Sequence, residues 1–253
     1  MARRADENPT QDRAADFAAS ESEIRSIALA ADALSQEVGK PVNPWAELAQ
    51  GSQKLLGSFS TSERHYLVTV HTTRASNAVT PTTSANVELL EDVIMAGSQK
   101  AIAMERGLSP STVTAKARQA LGFIGLSAAP SYIPPLIIIL VTATRTGRQL
   151  TGARQTVFCF QERKWVVFSV PRPDLKMQSL QPPAEWQVMQ MLVEGRPYAE
   201  MAIQRRSSKR TIANQVAASF RRLQVSGRTD LVRVLTDLSA RGPEVQPPAF
   251  ERT

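Results

Sequence analysis

Residues 183–238 read PAEWQVMQMLVEGRPYAEMAIQRRSSKRTIANQVAASFRRLQVSGRTDLVRVLTDL, and their pattern predicts the structure of the C-terminal part of the chain. Its apolar residues recur at the three- and four-residue steps of a helix, in four short segments. Turn and cap residues separate the segments at Gly195, Ser208 and Gly227. Short helices joined by turns of three or four residues are typical of a helix-turn-helix module. The pattern therefore predicts four helices, the third of which begins at Ser208 in the place of a recognition helix.

A dozen residues of this stretch match a known motif pattern: Glu185, Val188, Leu192, Gly195, Glu200, Met201, Ala202, Ser208, Thr211, Ile212, Leu223 and Val225. In these residues the stretch resembles the DNA-binding domain of the LuxR/GerE family, the four-helix output module of many bacterial transcription regulators. The chain departs from the pattern at Ala213 and Gln215, where the family usually has a basic residue and a His. The resemblance implies the four-helix fold and DNA binding, but neither affinity nor base preference is carried over.

An earlier stretch follows the same pattern. Residues 97–103 read GSQKAIA and residues 108–113 read LSPSTV, and both resemble the family's motifs. Matching residues of the two stretches, and of the strand-forming segments before them, stand 99 positions apart: Thr112 and Thr211, Leu126 and Val225, Phe59 and Phe158, Tyr66 and Trp165. A constant spacing indicates an internal repeat. We therefore predict a mainly α protein with small β content, built as two units that each consist of a β-hairpin followed by a four-helix LuxR-type domain.

The predicted domain boundaries follow from this repeat. Residues 1–19 are polar and without apolar period, which predicts disorder. The further segments are N-terminal helices at 20–56, the first unit at 57–144, a linker at 145–154, the second unit at 155–240 and a polar tail at 241–253. The helices at 20–56 are expected over Ser20–Val38 and Pro44–Leu56, and the first must pack on the next domain or on another subunit.

The fourth helix of the first unit is ambiguous in the sequence. Leu136–Val141 is rich enough in β-branched residues to form a strand. The repeat register favours a helix instead, because Leu136 falls on Leu235 of the second unit.

The second predicted hairpin, at residues 155–170, is apolar on both faces. Phe158 and Phe160 lie on one face, and Val157 and Cys159 lie on the other. Such a hairpin is not expected to stand alone, so we predict that it pairs with the hairpin at 57–72 into a four-stranded sheet, within one chain or between two. Cys159, between two Phe residues, is expected to be a core thiol.

Composition excludes several function classes. The chain has one Cys and two His, so neither a disulfide nor a metal site is expected, and no cofactor or catalytic residue is predicted. No apolar run reaches the roughly 18 residues of a membrane helix, and the N-terminus has no apolar signal segment. We expect a cytoplasmic, nucleoid-associated protein. The net charge is +7, and residues 151–253 hold 16 basic and 9 acidic side chains. This excess favours a surface that meets phosphates, although solvated surface Arg is the alternative.

The candidate DNA contacts of the second unit surround its predicted recognition helix. Arg210 and Asn214 are expected to contact bases, because Arg can bridge the acceptors of guanine and Asn those of adenine. Thr211 is expected to touch a phosphate or to complete the helix start. The further candidates are Ser208, Lys209 and Gln215 on the helix and Arg205, Arg206, Arg221 and Arg222 toward the DNA backbone. For Arg221 and Arg222 the alternative is a solvated helix end.

The first unit differs in charge. Residues 86–126 hold four basic and four acidic side chains, whereas residues 196–233 hold nine and two. Its candidate DNA contacts are Lys100, Ser111, Thr112, Thr114, Lys116 and Arg118. The alternative is that this unit serves as a packing partner in the place of a second subunit.

These patterns predict a DNA-binding transcription regulator whose partner is double-stranded DNA, with a possible homodimer through the N-terminal helices or the hairpins. Two alternatives remain open at this stage. One is an interaction protein that uses the fold to bind RNA polymerase, a sigma factor or another regulator. The other is a protein that coats DNA without sequence preference.

Overall fold

A computed structural model describes residues 20–34, 43–72, 80–96, 99–127, 132–172 and 182–240. The elements in chain order are α1 (Glu21–Leu34), α2 (Trp45–Ala49), β1 (Gln53–Ser60), β2 (Arg64–His71), α3 (Pro81–Ala96), α4 (Gln99–Glu105), α5 (Pro110–Phe123), α6 (Pro135–Thr146), β3 (Arg154–Phe160), β4 (Arg163–Pro171), α7 (Pro183–Val193), α8 (Tyr198–Gln204), α9 (Lys209–Leu223) and α10 (Arg228–Ala240). The predicted disordered segment at 1–19 and the predicted polar tail at 241–253 lie outside the described residues. Within the described ranges, no helix is long and apolar enough to span a membrane.

The four strands form one antiparallel sheet in the order β1-β2-β4-β3. The two hairpins therefore pair within one chain, which decides between the two arrangements that the sequence left open. The central strands β2 and β4 meet in a register that sets Val68 opposite Val167. The β1 edge is interrupted by a bulge between Leu55 and Gly57, whereas β3 pairs with β4 without a register shift.

Helix α1 covers one face of the sheet. Its apolar residues Ile24, Ala28 and Ala31 pack on a cluster that includes Tyr66 and Trp165. An amphipathic helix needs such a partner to bury its apolar stripe. The helix predicted at Ser20–Val38 is thus confirmed over Glu21–Leu34, with residues 35–38 outside the described part.

A buried carboxylate fixes α1 on the sheet. Asp32 accepts hydrogen bonds from the Tyr66 hydroxyl and from Ser169 Oγ, both at 2.9 Å. The Arg64 Nε atom lies 4.0 Å and the Arg154 Nη1 atom 3.6 Å from the Asp32 carboxylate. Because a buried charge is costly unless it is paired and hydrogen-bonded, these partners stabilise the position of α1.

The other face of the sheet packs on the helices. Leu67 of β2 and Phe168 of β4 belong to the same core cluster as the buried residues of α3 to α10. Within this layer α3 packs on α5, α7 packs on α9, and α6 packs on α10. The protein is thus a helix-rich fold with a small four-stranded sheet between α1 and the remaining helices.

The ambiguous segment at Leu136–Val141 is helical, as the repeat register predicted. It forms the centre of α6, in which all residues from Pro135 to Ala143 are buried. Continuous burial explains its composition, because a helix surrounded by other elements is apolar on all sides. The β-branched residues of this segment are therefore explained by its position in the core, and they do not indicate a strand.

The prediction of a second helix over Pro44–Leu56 was wrong at its C-terminal half. Helix α2 ends at Ala49, Gly51 adopts a φ of +71°, and β1 begins at Gln53. Burial alternates from Gln53 to Leu55, which is the period of a strand. The Leu55 amide also donates to the carbonyl of Ile124 at 2.8 Å, so this part of β1 is held against the end of α5.

The prediction that Cys159 is a core thiol was also wrong. Cys159 is a free, exposed cysteine on β3, which is an edge strand. Its neighbour on the same face, Val157, is 47% exposed, whereas Phe158 on the opposite face packs near Trp165 with ring centroids 6.1 Å apart. Only one face of β3 is thus covered. The sequence does not reveal which face, because both faces carry apolar residues.

Candidate nucleic-acid interface

The connection between α8 and α9 is a tight turn. The Ser207 amide donates to the carbonyl of Ala202 at 2.9 Å, and Arg206 adopts a left-handed conformation with a φ of +50°. Ser208 is extended and caps α9, because its Oγ accepts a hydrogen bond from the Thr211 amide at 3.0 Å. This cap fixes where the first turn of α9 begins.

Helix α9 buries one side and exposes the other. Ile212, Val216 and Ser219 are buried against the domain core. On the outer side, Arg210 and Asn214 are exposed and lie one helical turn apart. Because both side chains are long enough and polar enough to bond base edges, the outer side has the composition of a surface that contacts a DNA groove.

Two other candidate residues of α9, Thr211 and Gln215, are placed less favourably for contact with DNA. The Thr211 hydroxyl is 2.9 Å from Ser208 Oγ, which fits the role of completing the helix start. Gln215 is half-buried at the border between the inner and outer sides, whereas Asn214 is exposed.

Several basic side chains of this region are engaged within the protein. Arg222 forms an ion pair with Glu185 of α7, and Arg205 donates to the side chain of Gln187. Arg196 donates to Glu194 and Glu200, each at 3.1 Å. The guanidinium groups of these residues are therefore engaged by other side chains of the protein, although a count from the sequence alone would treat them as free surface charges.

Four exposed basic residues remain in the part of the chain that the structure describes for α8 and α9. They are Arg206, Lys209, Arg210 and Arg221, and none of them has an ion pair or a side-chain hydrogen bond among the described residues. They lie at the turn before α9, in its first turn and in its last turn. Cations spread along one helix in this way suit a phosphate backbone.

The turn between α4 and α5 has the same local geometry. The Leu108 amide donates to the carbonyl of Ala103 at 2.8 Å, and Gly107 adopts a φ of +62°. Ser109 caps α5, because its Oγ accepts from the Thr112 amide at 3.1 Å. Each of these positions stands 99 residues before its counterpart at the turn between α8 and α9.

The outer side of α5 differs from that of α9 in its side chains. Pro110, Ser111 and Ala115 occupy the places that Lys209, Arg210 and Asn214 occupy on α9. The other candidates are divided between exposed and half-buried positions.

Lys100, Ser111 and Arg118 are exposed, whereas Thr112, Thr114 and Lys116 are half-buried. Thr114 is engaged locally, because its hydroxyl lies 2.8 Å from Gln99 Oε1 and 2.9 Å from the carbonyl of Pro110. Of the N-terminal basic candidates, Lys100 and Arg118 are thus exposed, whereas Lys116 is half-buried.

Arg228, for which the sequence pattern predicts no role, joins three segments. Its guanidinium donates to the carbonyls of Leu192 and Val193, both at 2.8 Å, and of Ile133 at 2.6 Å. Burial lowers the pKa of Arg228 to about 10. A signal was present in the sequence, because Arg228 begins a helix, where a cation is disfavoured by the helix dipole unless it has specific partners.

In the described ranges, no group of three or more His, Cys, Asp or Glu side chains is arranged to hold a metal ion.

Residues 183–235 match the family described as "Bacterial regulatory proteins, luxR family" (GerE). The matched stretch runs from the start of α7 into α10, so it includes the turn and both helices of the candidate interface. Neither a curated protein nor a solved structure matches the chain. The match shows one LuxR-type helix-turn-helix domain, and it supports DNA binding and transcription regulation in general.

Proposed function

We propose that the protein is a transcription regulator that binds double-stranded DNA through α9 as its recognition helix. One observation is central to this proposal. Within the segment that matches the luxR family, the Ser208-capped helix buries Ile212 and Val216 and turns Arg210 and Asn214 outward. In a helix-turn-helix domain the N-terminal part of the second helix contacts base edges in the major groove.

The exposed polar residues divide into two roles in this proposal. Arg210 and Asn214 contact base edges, since they lie on one face in the first turns of α9. Arg206, Lys209 and Arg221 contact phosphates, which gives affinity that depends on salt and little on sequence. Arg222 and Arg205 act through the domain itself, because Arg222 pairs with Glu185 and Arg205 with Gln187.

We further infer that the chain contains two copies of one unit, which extend over residues 53–146 and 154–240. The order of two strands and four helices, which occurs in both segments, supports this inference. The caps at Ser109 and Ser208 and the left-handed turn residues Gly107 and Arg206 support it as well. On this inference the N-terminal unit has the fold of the C-terminal domain, and its helix α5 corresponds to α9.

The proposed role of the N-terminal unit is that of a packing partner. Its candidate reading helix has Pro110, Ser111 and Ala115 where α9 has a Lys, an Arg and an Asn. A proline, a short hydroxyl and a methyl group cannot form the bidentate contacts that distinguish base pairs.

Fluorescence anisotropy of labelled random duplex DNA, measured over a salt series, tests the DNA-binding proposal. We expect binding at low salt that weakens linearly in log K against log salt, because each phosphate contact releases counterions. Selection from a random duplex library should then yield a preferred sequence.

Each alternative function predicts a different result. Absence of binding at low salt would exclude DNA as the partner and would favour an interaction protein that binds RNA polymerase or another regulator. Binding without a preferred sequence after selection would instead favour a protein that coats DNA.

A further inference from the structure

We infer that one chain binds DNA as a monomer, and that its site is a single non-palindromic half-site contacted by α9 alone. This inference rests on the proposed function and adds the class of DNA site. Helix-turn-helix dimers bind two half-sites one helical turn, about 10 base pairs, apart, and operator symmetry mirrors the two-fold symmetry of the protein. The chain differs from such dimers in four respects.

First, the apolar surface of the fourth helix in the matched domain is occupied within the chain. Leu231, Val232 and Leu235 of α10 are buried, and α10 packs on α6 and on α3 as well as on α7. Arg233 of α10 also donates to the carbonyl of Met95 at the end of α3. A two-fold dimer needs a self-complementary surface on each chain, and this surface of α10 is not open to a second copy.

Second, the N-terminal half contacts the C-terminal half of the chain at two places. Arg228 at the start of α10 donates to the carbonyl of Ile133, which directly precedes α6. On the opposite side of the core, β2 and β4 form the central pair of the sheet. Apolar residues of the two halves therefore belong to one shared core cluster within the chain.

Third, the hairpins and the N-terminal helix are already paired inside one chain. Helix α1 covers the sheet and is held there by Asp32 with Tyr66 and Ser169. The central strands and the apolar face of α1 therefore have partners within the chain, which favours a monomer.

Fourth, the two corresponding helices differ at the outward positions of their first turns, where only α9 has an Arg and an Asn. The residues of α5 that correspond to Arg210 and Asn214 of α9 are Ser111 and Ala115. If both helices lay in successive major grooves, only one of the two half-sites would be read. The preferred sequence is therefore expected to be asymmetric and shorter than one turn of about 10 base pairs.

The test uses the full chain and duplex DNA from the library selection described above. Native mass spectrometry of the protein with the selected duplex should show one chain of 27.7 kDa per duplex, and the selected sequence should lack an inverted repeat. Two chains per duplex on an inverted repeat would overturn the monomer inference while leaving the DNA-binding proposal intact. Absence of any complex with duplex DNA would overturn both.

A matched pair of cap substitutions tests which helix faces DNA. Asp caps a helix as well as Ser does, so Ser208→Asp and Ser109→Asp should both keep the fold, as judged by thermal unfolding. Only the first adds a negative charge beside the proposed phosphate contacts. We expect Ser208→Asp to weaken binding on the order of tenfold and Ser109→Asp to leave it within about twofold. An equal loss in both variants would overturn the assignment of DNA contact to α9 alone.

Discussion

Val68 on β2 lies opposite Val167 on β4, and these two residues are separated by the same 99 positions as the helix caps Ser109 and Ser208. When two segments with a constant interval pair antiparallel at corresponding residues, a local two-fold axis passes through the pair. The packing of α6 on α10 agrees with this axis, because these helices hold corresponding places in the element order. The relationship supports the proposal that the chain supplies its own second subunit.

Substitution of Arg210 tests base contact. Arg210→Ala should reduce the difference between the selected duplex and a random duplex by about 1–3 kcal/mol, because a bidentate contact to guanine is worth that much discrimination. Binding to random duplex should change little. Anisotropy titrations with both duplexes measure the two quantities.

The control for Arg210 is Arg222→Ala on the same helix. Arg222 pairs with Glu185, so its loss should weaken all sequences alike through the packing of α9 on α7. If Arg210→Ala and Arg222→Ala lowered affinity equally for every sequence, Arg210 would not contact bases.

Substitution of Arg206 tests two effects separately, the positive charge of its side chain and the strain of its left-handed backbone conformation. Arg206 has a φ of +50°, where a side chain is unfavourable, and its counterpart Gly107 is a glycine. Arg206→Gly should therefore keep or raise the melting temperature while it removes one phosphate contact. The slope of log K against log salt should become shallower by about 0.9.

The control at this position is Arg206→Lys, which retains the positive charge and the side-chain strain. We expect this variant to keep the salt slope of the wild-type protein. An unchanged slope in Arg206→Gly would mean that Arg206 makes no phosphate contact.

Substitution of Asp32 tests how α1 is held on the sheet. Asp32→Asn should lower the free energy of unfolding by about 3–5 kcal/mol, because it leaves the largely buried Arg64 without its nearby carboxylate. Urea unfolding measures the loss. The exposed carboxylate of Glu88 on α3 supplies the control, and Glu88→Gln should be nearly neutral. Similar losses in both variants would contradict a structural role for the Asp32 network.

The Tyr66 hydroxyl should make stability depend on pH above 10. Burial, followed by the hydrogen bond to Asp32, raises the pKa of Tyr66 from 10 to about 12. A raised pKa means that the folded state holds the proton more tightly, so this contribution is present below pH 10 and is lost between pH 10 and 12. Tyr66→Phe should show a smaller loss of unfolding free energy over that interval. An identical pH dependence in both proteins would show that Tyr66 does not contribute.

Patterns of spacing predicted the helices and strands near the candidate interface well. The predicted helix start at Ser208 agrees with α9, and the strand-like Leu136–Val141 is helical as the 99-residue register required. Local caps and apolar periods determine such features, so they are visible in the sequence. The boundary between α2 and β1 was not predicted, because Leu55 is held as a strand by the tertiary contact with Ile124.

Side-chain partners were less predictable than elements. In the sequence, Arg222 and Arg228 cannot be told apart from Arg210, because all three are arginines of the basic C-terminal part. In the structure, Arg222 pairs with Glu185, and Arg228 donates to three buried carbonyls. These partners are distant in the sequence, so a count of basic residues does not reveal them. The exposure of Cys159 likewise depends on β3 being an edge strand, which strand order determines and local sequence does not.

The most direct test of the central claim is a measurement of backbone amide resonances by nuclear magnetic resonance, with and without the selected duplex. If α9 lies in the major groove, the largest shifts should fall on residues 206–215, at the turn and in the first two turns of the helix. Amides of residues 107–116, at the corresponding turn and helix, should keep their positions. Saturation with duplex that leaves the amides of residues 206–215 unshifted would contradict α9 as the DNA-binding helix.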